Sequence, residues 1–261
     1  MVNGVISRNA NDFVYPGDVV VCRWEESIED TKPSDDPLDV VYEDEWLMVV
    51  NKGPHMLIHP TSKEPQHTLV NAAAGYYLRR GIEAGIHPIY RLDRNTTGLV
   101  IIAKCAKVQA DLSRSHDQIC RRYFAVAEGI LPDDRGIIER PIGRKEGSII
   151  EWMVRDDGKP ALTEYEVLAR RQDRTFLRLR LHTGRTHQIR VHLSSLGHPL
   201  MGDDLYGGHT GAISRQALHA GELFFTHPMT GENMHLTAPV PADMKALLPD
   251  FPFGSIFQSP I

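Results

Sequence analysis

Apolar and polar positions fall into short periodic runs along this chain, and most of the runs have period two. In "RTFLRLRLHTG" (174–184), Leu177, Leu179 and Leu181 point to one face of a strand, and Arg178, Arg180 and His182 to the other. "ALTEYEVLAR" (161–170) alternates in the same way just before it, so the two predict an antiparallel pair. "GLVIIAK" (98–104) is continuously apolar, as a strand covered on both faces must be. "RRYFAVAEG" (121–129) predicts another strand, "VVYEDEWLMVVNK" (40–52) predicts two around a charged turn, and "ELFFTHP" and "MHLTAPV" predict a closing pair. Helical spacing is rarer. "TLVNAAAGYYLRRG" (68–81) has Thr68 placed to cap it and Gly81 to end it, and "AKVQADLSRSHD" (106–117) follows. "THQIRVHLSSLG" (186–197) sets Ile189, Leu193 and Leu196 at helical spacing, with Gly197 as the stop. Residues 2–24 read as two short strands, with turn signals at Asn3-Gly4 and Pro16-Gly17-Asp18. Strands dominate, strict strand–helix alternation is absent and no repeat is visible. The expectation is an α+β fold, a mixed and largely antiparallel sheet carrying helices.

Charge divides the chain further. The net charge of −5 conceals a segment between Trp24 and Trp46 with ten acids and one base. It also conceals a segment from Arg170 to His192 with seven arginines and one acid. The first marks residues 25–37 as an acidic, proline-bearing linker between a small N-terminal piece (1–24) and one large domain (38–261). The second points to an anionic partner, unless its arginines are only a solvated strand face. Binding of any anionic partner is therefore expected to rest on Arg170–His192 and not on the N-terminal segment. No apolar run reaches the roughly 18 residues of a membrane helix, and the first 20 residues lack a signal-peptide layout. A cytoplasmic protein is expected. Cys22, Cys105 and Cys120 are far apart with no Cys-x-x-Cys, which supports neither disulfides nor a thiolate zinc site.

The candidate chemistry sits in "HPIYRLDRNTTGLVIIAK" (87–104), where Asp93 lies between Arg91 and Arg94 just before the apolar strand. Positive charge on both sides favours the ionised carboxylate, which can serve as nucleophile, base or electrostatic stabiliser. On its own an Arg-x-Asp-Arg run is more often an ion-paired turn. His182, His187 and His192 recur every five residues, a spacing that turns a helix by about 140° and puts them on no common face. No metal site is expected from them. Neither a magnesium-binding acid pair nor a phosphate-cradling glycine loop accompanies Asp93, and no cofactor is expected.

Three segments, "HPIYRLDRNTTGLVIIAK", "RRYFAVAEG" and "LHTGRTHQIRVHLSSLGHPLMGDDLYG" (181–207), resemble in order the motifs of the RluA-type pseudouridine synthases. "VVNKGPHMLIHP" (49–60) is similar to that family's first motif, and the resemblance spans about residues 38 to 240. It implies the pseudouridine synthase fold and an isomerase that detaches uracil from ribose in RNA, rotates it and rejoins it through carbon 5. By the same match Asp93 is the nucleophile, Tyr123 the tyrosine that stacks on the base, and Arg190 the partner of Asp93. Arg91 helps hold the uridine out of the stack, and Arg94, Arg185, His187 and Gln188 complete the substrate contacts. One carboxylate suffices where a glycosidase needs two, because the uracil is kept and water is excluded.

The chain departs from the pattern at Asn95-Thr96-Thr97, where the family commonly has Asp-Thr-Ser. Asn95 is thereby reduced to hydrogen bonding. It departs again at Gly53-Pro54-His55, where Pro-Ala-Gly is usual and where a different turn type is expected. Residues 2–22 resemble only the last strands of a small RNA-binding module of a small-subunit ribosomal protein, as a remnant or a trimmed start. The expected substrate is large-subunit ribosomal RNA, with transfer RNA as the alternative, and the expected state is a monomer. A catalytically silent RNA-binding protein is the competing class, but it would have lost Asp93, Tyr123 or Arg190, and all three are present.

Overall fold

The computed structural model describes residues 1–6, 12–21, 31–115 and 118–257. Cys22, Trp24 and the first half of the expected linker lie outside these residues. Within them the chain forms β1 (Val40–Glu43), β2 (Leu47–Lys52), α1 (Leu69–Arg80), β3 (His87–Pro88), β4 (Thr97–Ala103) and α2 (Ala106–Arg114). Then come β5 (Cys120–Glu128), β6 (Arg135–Glu139), β7 (Ile142–Arg144), β8 (Trp152–Val154), β9 (Leu162–Arg171) and β10 (Arg174–Leu181). The last are α3 (Gln188–Ser195), β11 (Leu218–Thr226), β12 (Asn233–Thr237) and α4 (Ala242–Lys245). One sheet runs β1-β2-β4-β11-β5-β10-β9-β6, with β3 on β4 and β12 on β11, while β7 and β8 make a separate hairpin. Every pairing is antiparallel except β4 with β11. The expected α+β architecture is what forms.

The period-two pattern explains the layers. On one face Tyr123, Ala125 and Ala127 of β5 and Leu177 and Leu179 of β10 join Val100 and Ile102 of β4 under α1 and α3. On the other, Phe124, Val126 and Phe176 meet Met244, Leu247 and Leu248 of the C-terminal segment. β4 is buried along its whole length because α2 covers its second face through Val108 and Leu112. The helix predicted at 68–81 is capped as its sequence implies: Thr68 and Asn71 exchange side-chain bonds to each other's backbone, and Gly81 ends it. Gly98, at φ 118°, is the one residue that lets β4 approach β11. A Cβ there would lie 2.3 Å from the Ala220 carbonyl oxygen.

Two expectations change. Among the described residues 2–21 there are only isolated bridges, Val2 to Val5 and Val2 to Val20, in place of strands. The described end of the linker is strapped onto α1: Asn71 Nδ2 donates to Lys32 O (2.7 Å), Ser34 N–H to Asn71 O (3.0 Å), and Arg79 pairs with Asp35 (3.2 Å). The strap is thus made mainly by backbone and asparagine bonds, with one exposed acid, Asp35, reaching Arg79.

Candidate active site

Asp93 opens a tight turn, with Thr96 N–H donating to its carbonyl (3.1 Å), and β4 begins one residue later. The turn is braced from the start of β11, about 120 residues away. Buried Arg215 donates from Nη1 to Asn95 O (3.2 Å) while Nε and Nη2 grip Asp243 (2.7 and 2.9 Å). Gln216 Nε2 donates to Thr96 Oγ1 (3.2 Å), and Thr97 Oγ1 lies 2.9 Å from His219 Nδ1. Beneath the turn, buried Lys52 donates from Nζ to Gly53 O (2.8 Å), Met56 O (3.0 Å) and Arg94 O (3.1 Å). Burial pushes the Lys52 ammonium down to about 7, against the pull of nearby Asp93. In the preceding loop His55 sits in the left-handed region at φ 61°.

The Asp93 side chain is about one quarter exposed, at 26%, and opens into a cavity of about 1090 Å³. Its counter-charge comes from α3. Arg190 Nη1 donates to Asp93 Oδ2 (3.2 Å), and Nε and Nη2 donate to the two oxygens of Asp203 (2.7 and 2.8 Å). Burial works against the Arg190 charge, but Asp203 and Asp93 more than offset it and hold the guanidinium protonated above the ordinary arginine range. The Tyr206 ring lies 4.8 Å from the Arg190 guanidinium. Tyr206 Oη accepts from Trp152 N–H (3.0 Å) and lies 2.7 Å from His187 Nδ1. The other ring nitrogen of His187, Nε2, faces Asp93 Oδ1 at 3.8 Å. Burial also lowers the His187 pKa, against the pull of nearby Asp93. One carboxylate oxygen of Asp93 is thus held by Arg190, and the other is free for a reacting atom.

Tyr123 and Arg121, two apart on β5 and so on one face, line the same cavity. Burial raises the Tyr123 phenol above its ordinary value, and the Arg121 charge partly offsets this. The Arg121 guanidinium lies 4.7 Å from the Tyr90 ring, and its Nε is buried with no hydrogen-bond partner among the described residues.

The family model for RNA pseudouridylate synthase matches residues 46–195, a span that contains Asp93, Tyr123 and Arg190. The chain is 42% identical over 236 residues to the uncharacterised RNA pseudouridine synthase YjbO of Bacillus subtilis, covering 89% of this chain and 83% of that protein. It is 41% identical over 265 residues to ribosomal large subunit pseudouridine synthase D of Vibrio parahaemolyticus, covering 94% and 81%. The Escherichia coli K12 protein of the same name is 39% identical over 267 residues, covering 95% and 81%. The chain belongs to the RNA pseudouridylate synthase family. Among solved structures, human RNA pseudouridylate synthase domain containing 1 superposes with a TM-score of 0.66 at 26% identity, over 80% of this chain and 86% of that one.

In this pseudouridine synthase two expectations drawn from charge are corrected. Arg91 and Arg94 do not cage Asp93. The turn that sends Asp93 inward sends its neighbours outward, so Arg94 pairs with Glu64 (2.5 Å) and Arg91 is exposed on the cavity wall. The basic stretch 170–192 is not one RNA-facing surface either. Arg178 and Arg180 lie on the sheet face opposite Tyr123, because Leu177 and Leu179 take the catalytic side. Arg170 is held by Asp134 and Leu131 O, Arg174 by Asp173 and Leu247 O, and only Arg185 and Arg190 reach the cavity. Gln188, expected to contact substrate, lines the cavity, but it is 2% exposed and its side chain is bonded within the protein. Its Oε1 accepts from Thr183 Oγ1 and Arg185 N–H, and its Nε2 donates to Leu162 O and Thr163 Oγ1. The three histidines part as expected: His182 goes to Glu164, His187 to Tyr206, and His192 to Thr163 and Arg140 O. Asn95 does its bonding through its carbonyl, and its buried Oδ1 finds no partner among the described residues.

Sequence reasoning missed Asp203, Tyr206 and Arg121. A period-two reading of β5 singles out Arg121 as the partner of Tyr123 on one face. For Asp203 and Tyr206 the only signal was the quoted Gly-Asp-Asp turn, which says nothing of their contact with Arg190.

The brace behind the catalytic turn makes folding acid-sensitive. Burial pulls His219 down to about 4, and its Nε2–H donates to Ala238 O (3.1 Å). An unfolded histidine titrates near 6.5, so between those values the unfolded chain takes up a proton that the folded one refuses. The stabilising contribution is present above about pH 6.5 and is lost as pH falls to 4, by about 3 kcal/mol in all. Urea unfolding at a series of pH values is expected to show this slope for the parent and a shallower one for His219→Gln.

Proposed function

We propose that this synthase converts a uridine of large-subunit ribosomal RNA to pseudouridine, with Asp93 as the nucleophile. The observation that carries the reading is the Asp93 carboxylate itself: Arg190 holds one oxygen and the other faces an open cavity walled by Tyr123. The ribose C1′ meets the free oxygen as its bond to uracil N1 breaks. The uracil, kept in the cavity against Tyr123, turns to present C5. The new C5–C1′ bond forms as the Asp93–C1′ bond breaks, the C5 proton is lost and N1 gains one, so the reaction balances as an isomerisation. Arg190 stabilises the carboxylate before the attack and as it is released. The ribosomal target follows from the relatives named ribosomal large subunit pseudouridine synthase D. We place the protein in the cytoplasm as a monomer, with no metal and no cofactor in the reaction. Pseudouridine mapping in total RNA from cells with and without the gene tests the target. A site lost only from transfer RNA overturns the ribosomal assignment, and no lost site overturns the enzyme reading.

The cavity geometry also separates the arginines that touch RNA from those that do not. Arg185 stands on the cavity wall, anchored through Nε to Pro160 O (2.9 Å), whereas exposed Arg180 lies on the opposite face. Each phosphate contact adds about one unit to the salt slope of binding. Arg185→Ala is expected to weaken RNA binding about tenfold and to flatten that slope by about one. Arg180→Ala is expected to change neither. Binding curves at several salt concentrations decide it.

A further inference from the structure

The hairpin of β7 and β8, to which sequence reasoning assigned no element, stands beside the catalytic cavity, and its tip has no task in the chemistry above. Its root is fixed to α3. Ile142, Ala161 and Val191 form a small core with Trp152, Val154 and Tyr206 against it, and Trp152 N–H donates to the same Tyr206 hydroxyl that orients His187. The tip is ordered by its own bonds. Ser148 Oγ accepts from Ile150 N–H (3.3 Å) and Glu151 N–H (3.0 Å), Lys145 pairs with Glu151 (2.6 Å), and Arg144 donates to the Ile149 carbonyl. Arg155 pairs with Asp157. Lys145, Glu151, Arg155 and Asp157 are thus paired within the hairpin, and beyond exposed Glu146 the tip presents two isoleucines. Ile149 is 86% exposed and Ile150 58%, on a preformed turn, with Met153 at 43% on the same hairpin. Single exposed aliphatic residues are ordinary. Here two adjacent ones crown an ordered tip, and Ile150 forms part of the wall that Asp93, Tyr123 and Arg190 also line.

We infer that the Ile149–Ile150 tip is a wedge that packs against the RNA base next to the extruded uridine and holds the opened step apart. The inference rests on the reading of the site given above. Reaching a uridine inside a paired segment means taking it out of the stack, which exposes apolar base faces on either side of the gap. Aliphatic side chains pushed into a base step stabilise such unstacked, kinked nucleic acid. Any RNA that delivers a uridine to Asp93 fills the cavity and so meets Ile150. Exposed Arg91, on the catalytic turn, lines the same cavity and supplies a charge for the phosphates there. The apolar tip supplies the contact to bases that a charge cannot.

The test uses the mapped uridine on a synthetic stem-loop with 2-aminopurine as its 3′ neighbour, and on the same strand without its pairing half. For Ile149→Ser/Ile150→Ser, kcat/KM on the stem-loop divided by kcat/KM on the unpaired strand is expected to fall about tenfold relative to the parent. The fluorescence rise on mixing with the stem-loop should shrink in parallel, and Ile149→Leu/Ile150→Leu should restore both. Ile149→Ser alone, at the more exposed position, should move the ratio the same way and guards against a folding defect in the double variant. An unchanged ratio, or an equal loss on both strands, overturns the wedge. A parent that forms no pseudouridine on either strand overturns the reading of the site instead, and the wedge with it.

Discussion

Asp93→Asn is expected to abolish pseudouridine formation, with a loss of at least about a thousandfold, while leaving the fold in place. The amide oxygen still accepts from Arg190 Nη1, and Arg190 keeps both of its bonds to Asp203, so the local structure has no reason to rearrange. What disappears is the anion. An amide cannot form and release a bond to C1′, and the cavity's other carboxylate, exposed Asp204, belongs to the turn after α3 and not to the braced turn before β4. Stability by urea unfolding is expected within about 1 kcal/mol of the parent. Nucleoside analysis of reacted RNA by mass spectrometry provides the readout. Turnover within about tenfold of the parent would remove Asp93 from the role of nucleophile.

The parts of the site legible in the sequence are those whose information is local. The turn before β4, the strand carrying Tyr123 and the helix carrying Arg190 were each readable from a contiguous run with one dominant period. The long antiparallel strands were readable for the same reason. Charge misleads here because adjacency along the chain is not adjacency in space. Arg91 and Arg94 flank Asp93 in sequence, yet a tight turn points neighbouring side chains apart, and the real counter-ion lies 97 residues away. The arginines of β10 failed in a related way. Their alternation with leucine was read correctly, but whichever face carries the leucines packs on the catalytic side, so Arg178 and Arg180 had to face away from it.

The hairpin of β7 and β8 escaped notice on other grounds. Its strands are three residues each, too short for a period to show, and its apolar residues sit at the turn, where polar ones are expected. The brace around the catalytic turn was equally silent. Arg215, Gln216 and His219 look like ordinary polar residues of a strand entry. Only the parallel pairing of β4 with β11, which Gly98 permits, brings them against Asn95, Thr96 and Thr97.

Asp203→Asn is expected to lower kcat about a hundredfold with little change in KM for RNA. Asp203 is fully buried, with none of its side chain exposed, and does not line the cavity, so it touches no substrate. It acts through Arg190. By holding Nε and Nη2 it fixes the guanidinium plane, and Nη1 is left aimed at Asp93 Oδ2. An asparagine offers one acceptor and one amino group, and that amino group faces a guanidinium that can only donate. One bond is lost, the fork is no longer held flat, and Arg190 is free to tilt on the Tyr206 ring or to close fully on Asp93. Either motion removes the arrangement in which one carboxylate oxygen is held and the other is open, and small misplacements of this kind cost about a hundredfold in rate. A buried guanidinium that loses its main counter-charge also destabilises the fold, here by about 3–5 kcal/mol. Unfolding and kinetics must therefore be measured together, at a temperature where the variant is folded. A stability loss with kcat intact would show that Arg190 needs no aiming, and a rise in KM at constant kcat would place Asp203 in binding.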